Sequence, residues 1–202
     1  MFMVLGNLAI LIPSLLLQQF AGPPAPAAAA SVSDVGNLAA VDAKVWRGAA
    51  PTSLEGYRSL AAAGVTTVVD LRAEPDQLID DATLRSFGLR VVSLPIRDGQ
   101  TPTPAQTDEF LRVVADSSGT VFLHCGAGVG RTGSVAASYL VATGQASGVW
   151  ATLRNLSVGP PSLEQVAFTT RLQAGGAEQT NLLVVAASRV LDAPRRIWSG
   201  LA

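Results

Sequence analysis

The stretch that most restricts this chain runs from Thr120 to Gly133, with the sequence Thr-Val-Phe-Leu-His-Cys-Gly-Ala-Gly-Val-Gly-Arg-Thr-Gly. Thr120 to Leu123 is a β-branched and aromatic run that predicts a short buried strand. It gives way to a loop with glycines at 126, 128 and 130, and a small-residue helical pattern begins near Arg131. The chain has one cysteine and one histidine, and they stand side by side as Cys125 and His124 where strand becomes loop. Whatever the fold, a strand must end and a helix must begin around that thiol.

Elementary chemistry gives the arrangement a purpose. Glycine tolerates φ > 0, so alternate glycines can turn successive backbone N–H groups toward one point. The loop feeds a helix N-terminus, where unsatisfied N–H groups and the positive end of the dipole favour an anion. Surroundings that hold an anion also favour a thiolate over a thiol. Arg131, six residues after Cys125, adds a planar fork suited to two oxygens of a phosphate. Together these groups describe a nucleophile that accepts a phosphoryl group. Two plainer readings, a small core cysteine and an ordinary strand-to-helix turn, leave Arg131-Thr132 at this spacing unexplained.

His124-Cys125-x-x-Gly128-x-x-Arg131-Thr132-Gly133 resembles the signature of the cysteine-dependent protein tyrosine and dual-specificity phosphatases. The resemblance covers roughly residues 44 to 175. It implies an α/β fold with a short, mostly parallel central sheet flanked by helices. It implies that Cys125 attacks phosphorus and that Arg131 holds the phosphate together with the backbone N–H groups of Gly126, Ala127, Gly128, Val129, Gly130 and Arg131. Thr132 then corresponds to the hydroxyl that hydrogen-bonds the sulfur, and His124 to a residue that orders the loop. Asp98, in the Pro/Gly-rich segment Pro95 to Pro104 and 27 residues before Cys125, resembles the family's general acid. Among the competitors, Asp70 ends a strand, while Asp108 and Glu109 sit early on a helix, where acids are expected anyway. The chemistry needs no cofactor and no metal, and the sequence offers no His/Cys cluster to bind one.

The rest of the chain fits an alternating α/β order. Val45-Trp46-Arg47 reads as a short strand, and Thr52 with Glu55 as a capping box opening a helix that stops at Gly64. Val65 to Leu71 is almost continuously apolar and predicts a central parallel strand. Its sequel Asp70-Leu71-Arg72 also resembles the same phosphatases; Arg72 and Glu74 read as a structural ion pair or a solvated loop. A helix over Pro75 to Phe87, a strand over Leu89 to Leu94 and a helix over Pro104 to Ala115, capped by Thr103 or Thr107, follow. Beyond the loop come only helices: Gly133 to Thr143, Ser147 to Leu156, and one from Ser162 with Gln165 to about Gly175.

Three segments are expected: a leader over 1–35, a phosphatase domain over 36–176 and a helical extension over 177–202. Residues 1–33 carry no charge, and Met1 to Leu17 are mostly apolar before an Ala/Pro-rich run. They read as a signal peptide, a membrane anchor with association through residues 1–20, or a disordered leader of a cytoplasmic enzyme; export or anchoring is favoured. The extension reads as a packing helix in preference to an amphipathic contact.

A formal charge of −1 gives no field for nucleic acid. The expected partner is a phosphorylated protein or a small phosphate ester. Some bacterial relatives carry Lys-Asp in the loop and are linked with phosphoinositides, whereas this chain has Val129-Gly130. Phosphotyrosine or dual-specificity dephosphorylation therefore stands first. Hydrolysis of a small phosphorylated metabolite, inositol phosphate or phosphoinositide comes next, and a non-catalytic phosphate-binding pseudophosphatase after that.

Overall fold

The computed structural model describes residues 10–17, 24–26, 28–74, 80–173, 176–177 and 181–199. Five strands are β1 (Ala39–Ala40), β2 (Val45–Ala49), β3 (Val65–Arg72), β4 (Arg90–Ile96) and β5 (Thr120–Cys125). They form one sheet in the order β1-β2-β5-β3-β4, antiparallel at β1/β2 and parallel elsewhere. The expected short, mostly parallel sheet is therefore present. β5 lies at its centre, with Ala49 of β2 and Asp70 of β3 in register with Cys125 and His124.

Alternation along β5 explains the layers on either side. Val121, Leu123 and Cys125 join Val45, Val69 and Leu71 on one face. They pack on Phe110 and Val113 of α4 (Pro104–Asp116) and on Val135 and Leu140 of α5 (Gly130–Ala142). Phe122 turns to the other face with Trp46, Val65 and Val68. There it meets Leu60 of α2 (Leu54–Ala62) and Leu84 of α3 (Asp81–Ser86). Each fully buried Leu or Phe contributes on the order of 2 kcal/mol, so both faces hold β5 and fix where its carboxyl end sits.

Several local expectations are corrected. Ser53, not Thr52, caps α2: its Oγ accepts from Gly56 N–H at 3.2 Å, while Thr52 N–H turns back to Asp34 O at 3.0 Å. Of the helix expected over 75–87, α3 is present with Asp80 as its cap, and residues 75–79 lie outside the described residues. At α4, Thr103 and Gln106 form the reciprocal capping box. The helix from Ser162 is shorter than expected: α7 (Leu163–Thr170) stops at Arg171, followed by the antiparallel strands β6 (Leu172–Gln173) and β7 (Gly176–Ala177). Leu172 is buried there with Ala137, Val141 and Ala151, an apolar contact that a continued helix would not make in the same way.

The terminal segments touch the domain as well. Residues 10–17 form α1, whose buried Ser14 donates to Leu156 O at 2.6 Å in α6 (Gly148–Leu156). Ala28, Val32 and Val35, read as leader, pack against the cluster around Phe122. Among the described residues no helix is long and apolar enough to cross a membrane. The rest of the 1–20 stretch, residues 1–9 and 18–20, lies outside the described residues. α8 (Leu182–Ser199) lies on α7 through polar groups: Glu164 N–H donates to Ser188 Oγ at 3.0 Å, and Arg189 faces Glu164 at 3.5 Å. Leu182, Leu183 and Val190 are exposed.

Candidate active site

The loop between β5 and α5 is held from behind, carbonyl by carbonyl. Ala50 N–H donates to Cys125 O at 2.8 Å and to Gly126 O at 3.1 Å. Asn37 Nδ2 donates to Ala127 O at 2.8 Å. Arg47 Nη2 donates to Gly128 O at 2.7 Å and Val129 O at 3.2 Å. A trans peptide unit points its C=O and N–H in opposite directions. Five carbonyls drawn to the rear therefore turn the N–H groups of Gly126, Ala127, Gly128, Val129 and Gly130 to the front. Val129, the cap position of α5, makes no side-chain cap hydrogen bond, and helix N-termini favour anions.

Two glycines are dictated by this construction. Gly128 has φ +72°, and a Cβ there would stand 2.2 Å from the carbonyl carbon of Gly48. A Cβ at Gly133 would stand 1.8 Å from Asn155 Oδ1. That Asn155 oxygen, on α6, also accepts from Arg47 Nη2 at 3.0 Å. One buried amide thus braces both the strand that backs the loop and the helix that leaves it.

Arg131 is 6% exposed and folds back over the loop. Its Nη1 donates to Glu74 Oε2 at 2.7 Å and Ile96 O at 3.1 Å, and its Nη2 lies 3.5 Å from Asp98 Oδ1. Burial alone would lower its pKa, but the Glu74 hydrogen bond and the charges of Cys125, Asp98 and Glu74 raise it on balance. Nη1 is fully engaged, and Nε is buried without a hydrogen-bond partner. An Nε–Nη2 edge is the geometry with which a guanidinium takes two phosphate oxygens; in Arg131 its Nη2 faces Asp98.

The turn carrying Asp98 is tied to the same place. Gln100 N–H closes it onto Arg97 O at 3.0 Å, with Gly99 at φ +76°. Ser162 Oγ donates to Gly99 O at 2.7 Å, and Gln165 Nε2 to Gln100 O at 2.9 Å. The start of α7 thereby carries the Asp98 turn toward the loop, although the two lie more than sixty residues apart.

The structure thus gathers Cys125, Arg131, Asp98 and the loop N–H groups into one site. His124 stands just behind, stacked on Phe122, with Nδ1 3.4 Å from Cys125 O and 3.8 Å from Asp70 Oδ1. Asp70 is itself held by Arg72; burial opposes its ionisation, but the Arg72 hydrogen bonds and the His124 charge bring its pKa below the usual carboxylate value. Thr132 Oγ1 is buried and has no hydrogen-bond partner among the described residues, the sulfur included. Sequence reasoning passed over Arg47, Asn37, Asn155 and Gln165, and gave Glu74 no place beside Arg131. A charged residue in mid-strand was a usable signal for Arg47; the others are joined to the loop only by the fold.

A sheet of this order with a glycine cradle between its central strand and the following helix defines the class of the cysteine-dependent tyrosine and dual-specificity phosphatases. The chain belongs to the family described as "DSP-PTPase phosphatase fused to NAD+ Kinase", whose model matches residues 27–171. Over 77 residues it is 34% identical to the human dual specificity protein phosphatase CDC14C; these residues are 38% of this chain and 17% of that protein, so the chain spans a small part of such relatives' length. In fold it is similar to the core catalytic domain of the PP-IP phosphatase SIW14 from S. cerevisiae, with a TM-score of 0.59, 15% identity and coverage of 80% of this chain and 97% of that one. It is also similar to TpbA of P. aeruginosa in complex with pTyr, with a TM-score of 0.53, 24% identity and coverage of 77% and 90%.

Proposed function

We propose that this chain hydrolyses phosphate monoesters through a phosphocysteine intermediate, with phosphotyrosine or dual-specificity protein substrates. The observation that carries the reading is the set of five loop carbonyls held by Ala50, Asn37 and Arg47, whose peptide N–H groups face the opposite way. Such donors, fixed before substrate arrives, stabilise charge that develops on the equatorial oxygens. In this mechanism Cys125 Sγ attacks phosphorus as the bond to the leaving oxygen breaks. Asp98, beside Arg131 at the front, gives that oxygen its proton and then takes one from the water that cleaves the S–P bond. The buried hydroxyl of Thr132, unengaged in the protein alone, supports the departing sulfur.

The loop side chains Ala127 and Val129 carry no charge. That favours a substrate with one phosphate on a polypeptide over a polyphosphorylated small molecule, whose further phosphates need further cations. The test is hydrolysis of para-nitrophenyl phosphate, a phosphotyrosine peptide and an inositol polyphosphate by wild type, Cys125→Ser and Asp98→Ala. Cys125→Ser should be inactive. Asp98→Ala should be slowed roughly 100-fold or more on the peptide, and less on nitrophenyl phosphate, whose leaving group needs little protonation. Preference for the inositol polyphosphate would overturn the substrate assignment. Phosphopeptide binding with no turnover by wild type would make the chain a reader and not an enzyme.

A further inference from the structure

Arg47 is a buried cation that the reaction outlined above does not use. It stands in the middle of β2, 5% exposed, and among the described residues no carboxylate lies within ion-pair distance of it. Burial draws its pKa down to about 10, so it remains charged at neutral pH. An unpaired buried charge is costly, and an apolar side chain could fill the same space at lower cost. The contacts show what the charge does. A single nitrogen, Nη2, reaches Gly128 O, Val129 O and Asn155 Oδ1 at 2.7, 3.2 and 3.0 Å.

We infer that Arg47 is a positioning residue of the phosphate loop, pinning the carbonyls of Gly128 and Val129 so that the N–H groups of Val129 and Gly130 face the phosphate before it binds. The assignment rests on the reading of this loop as a phosphate cradle. Its physical basis is the freedom glycine gives the segment: Gly128, at φ +72°, has no Cβ to restrain the peptide unit that follows it. A turned unit would present a carbonyl oxygen to the incoming anion and repel it. Neutral donors secure the first part of the loop, Ala50 N–H and Asn37 Nδ2. Where the loop enters the helix, Gly128 O is held by the Arg47 cation, and Val129 O by Arg47 together with the helical N–H of Gly133 at 2.9 Å.

The experiment compares the full chain, Arg47→Met and Arg47→Lys. Tungstate binding is read by calorimetry, KM and kcat on para-nitrophenyl phosphate, and folding by thermal melts. Arg47→Met should bind tungstate at least about tenfold more weakly, with a matching loss in kcat/KM. Arg47→Lys, whose ammonium offers three donors where Nη2 stood, should recover to within roughly threefold of wild type. A folded Arg47→Met that binds tungstate like wild type overturns the assignment while leaving the phosphatase reading intact. So does equal binding by the Met and Lys variants, since packing would then suffice. If Arg47→Met does not fold, Arg47→Lys decides alone: near-wild-type tungstate binding supports the role, and a tenfold loss with an unchanged melt overturns it. A wild type that hydrolyses no ester, yet binds tungstate in the Arg47-dependent manner described, ends the enzyme reading and sustains this one. A wild type that binds no tungstate ends both.

Discussion

The rear and the front of the phosphate cradle are built from different materials. Behind the loop stand β-strand backbone, Arg47 at 5% exposure and Asn155 at 1%. In front, the carboxylates that reach Arg131 are more open, with side-chain exposures of 24% for Asp98 and 47% for Glu74. The rear has one task, to keep peptide groups aimed at an anion, and burial suits it because desolvated donors hold one arrangement. In the proposed reaction the front exchanges protons with a leaving group and with water, a task that its accessibility suits. The difference teaches that affinity for phosphate and delivery of the proton are separable here, and mutations on the two sides should separate them.

The largest effect should come from filling the rear. Gly128→Ala forces a side chain into the backbone of Gly48 at a left-handed φ and should cost about 3 kcal/mol or more. Chemical denaturation and tungstate binding should both report the loss. A variant of native stability with native binding would show that the rear yields, contrary to the comparison above. Next comes Glu74→Gln at the front, which removes the charge that holds Arg131 Nη1. Because Glu74 is half exposed, the expected loss is modest, roughly five- to tenfold in kcat/KM, with the melting temperature nearly unchanged. A large drop in stability would mean that the front is a structural element too.

The smallest effect lies away from both sides and sets their scale. Tyr139 donates to Asp42 Oδ2 at 2.7 Å, and burial, with Asp42 adding to it, pushes its pKa from 10.0 up to about 12. A folded-state pKa raised above the unfolded one contributes stability that is complete below pH 10 and is lost as pH rises through about 12. Tyr139→Phe should therefore cost about 1 kcal/mol at neutral pH, and the gap to wild type should narrow between pH 10 and 12. A gap independent of pH would remove the hydrogen bond from the account.

Much of this was legible in the chain itself, because the decisive contacts are local. Strand, cysteine, glycines and arginine lie within fourteen consecutive residues, and their spacing alone carries the cradle. Asp98 was legible through its Pro/Gly turn and the family resemblance. What escaped is long-range. Nothing near Arg47 shows that it meets Gly128, 81 residues away, or that Asn155 stands against Gly133. Glu74 looked like a solvated acid because its partner, Arg131, lies 57 residues on. The cap of α2 went to Ser53 and not to its neighbour where Asp34 holds both residues, its carbonyl taking Thr52 N–H and its carboxylate the Ser53 hydroxyl, a tertiary contact that no local pattern announces. The strand pair after α7 was equally illegible, since the residues that bury Leu172 (Ala137, Val141 and Ala151) lie on α5 and α6.

The central claim is that Cys125 forms a covalent bond to phosphorus in this loop. Wild type and Asp98→Ala should be mixed with para-nitrophenyl phosphate, quenched in acid within the first turnovers, and digested for mass spectrometry. The account predicts a phosphate adduct on the peptide containing Cys125 and none in Cys125→Ser. Turnover by Cys125→Ser, or steady turnover by wild type with no adduct at any quench time, would contradict it.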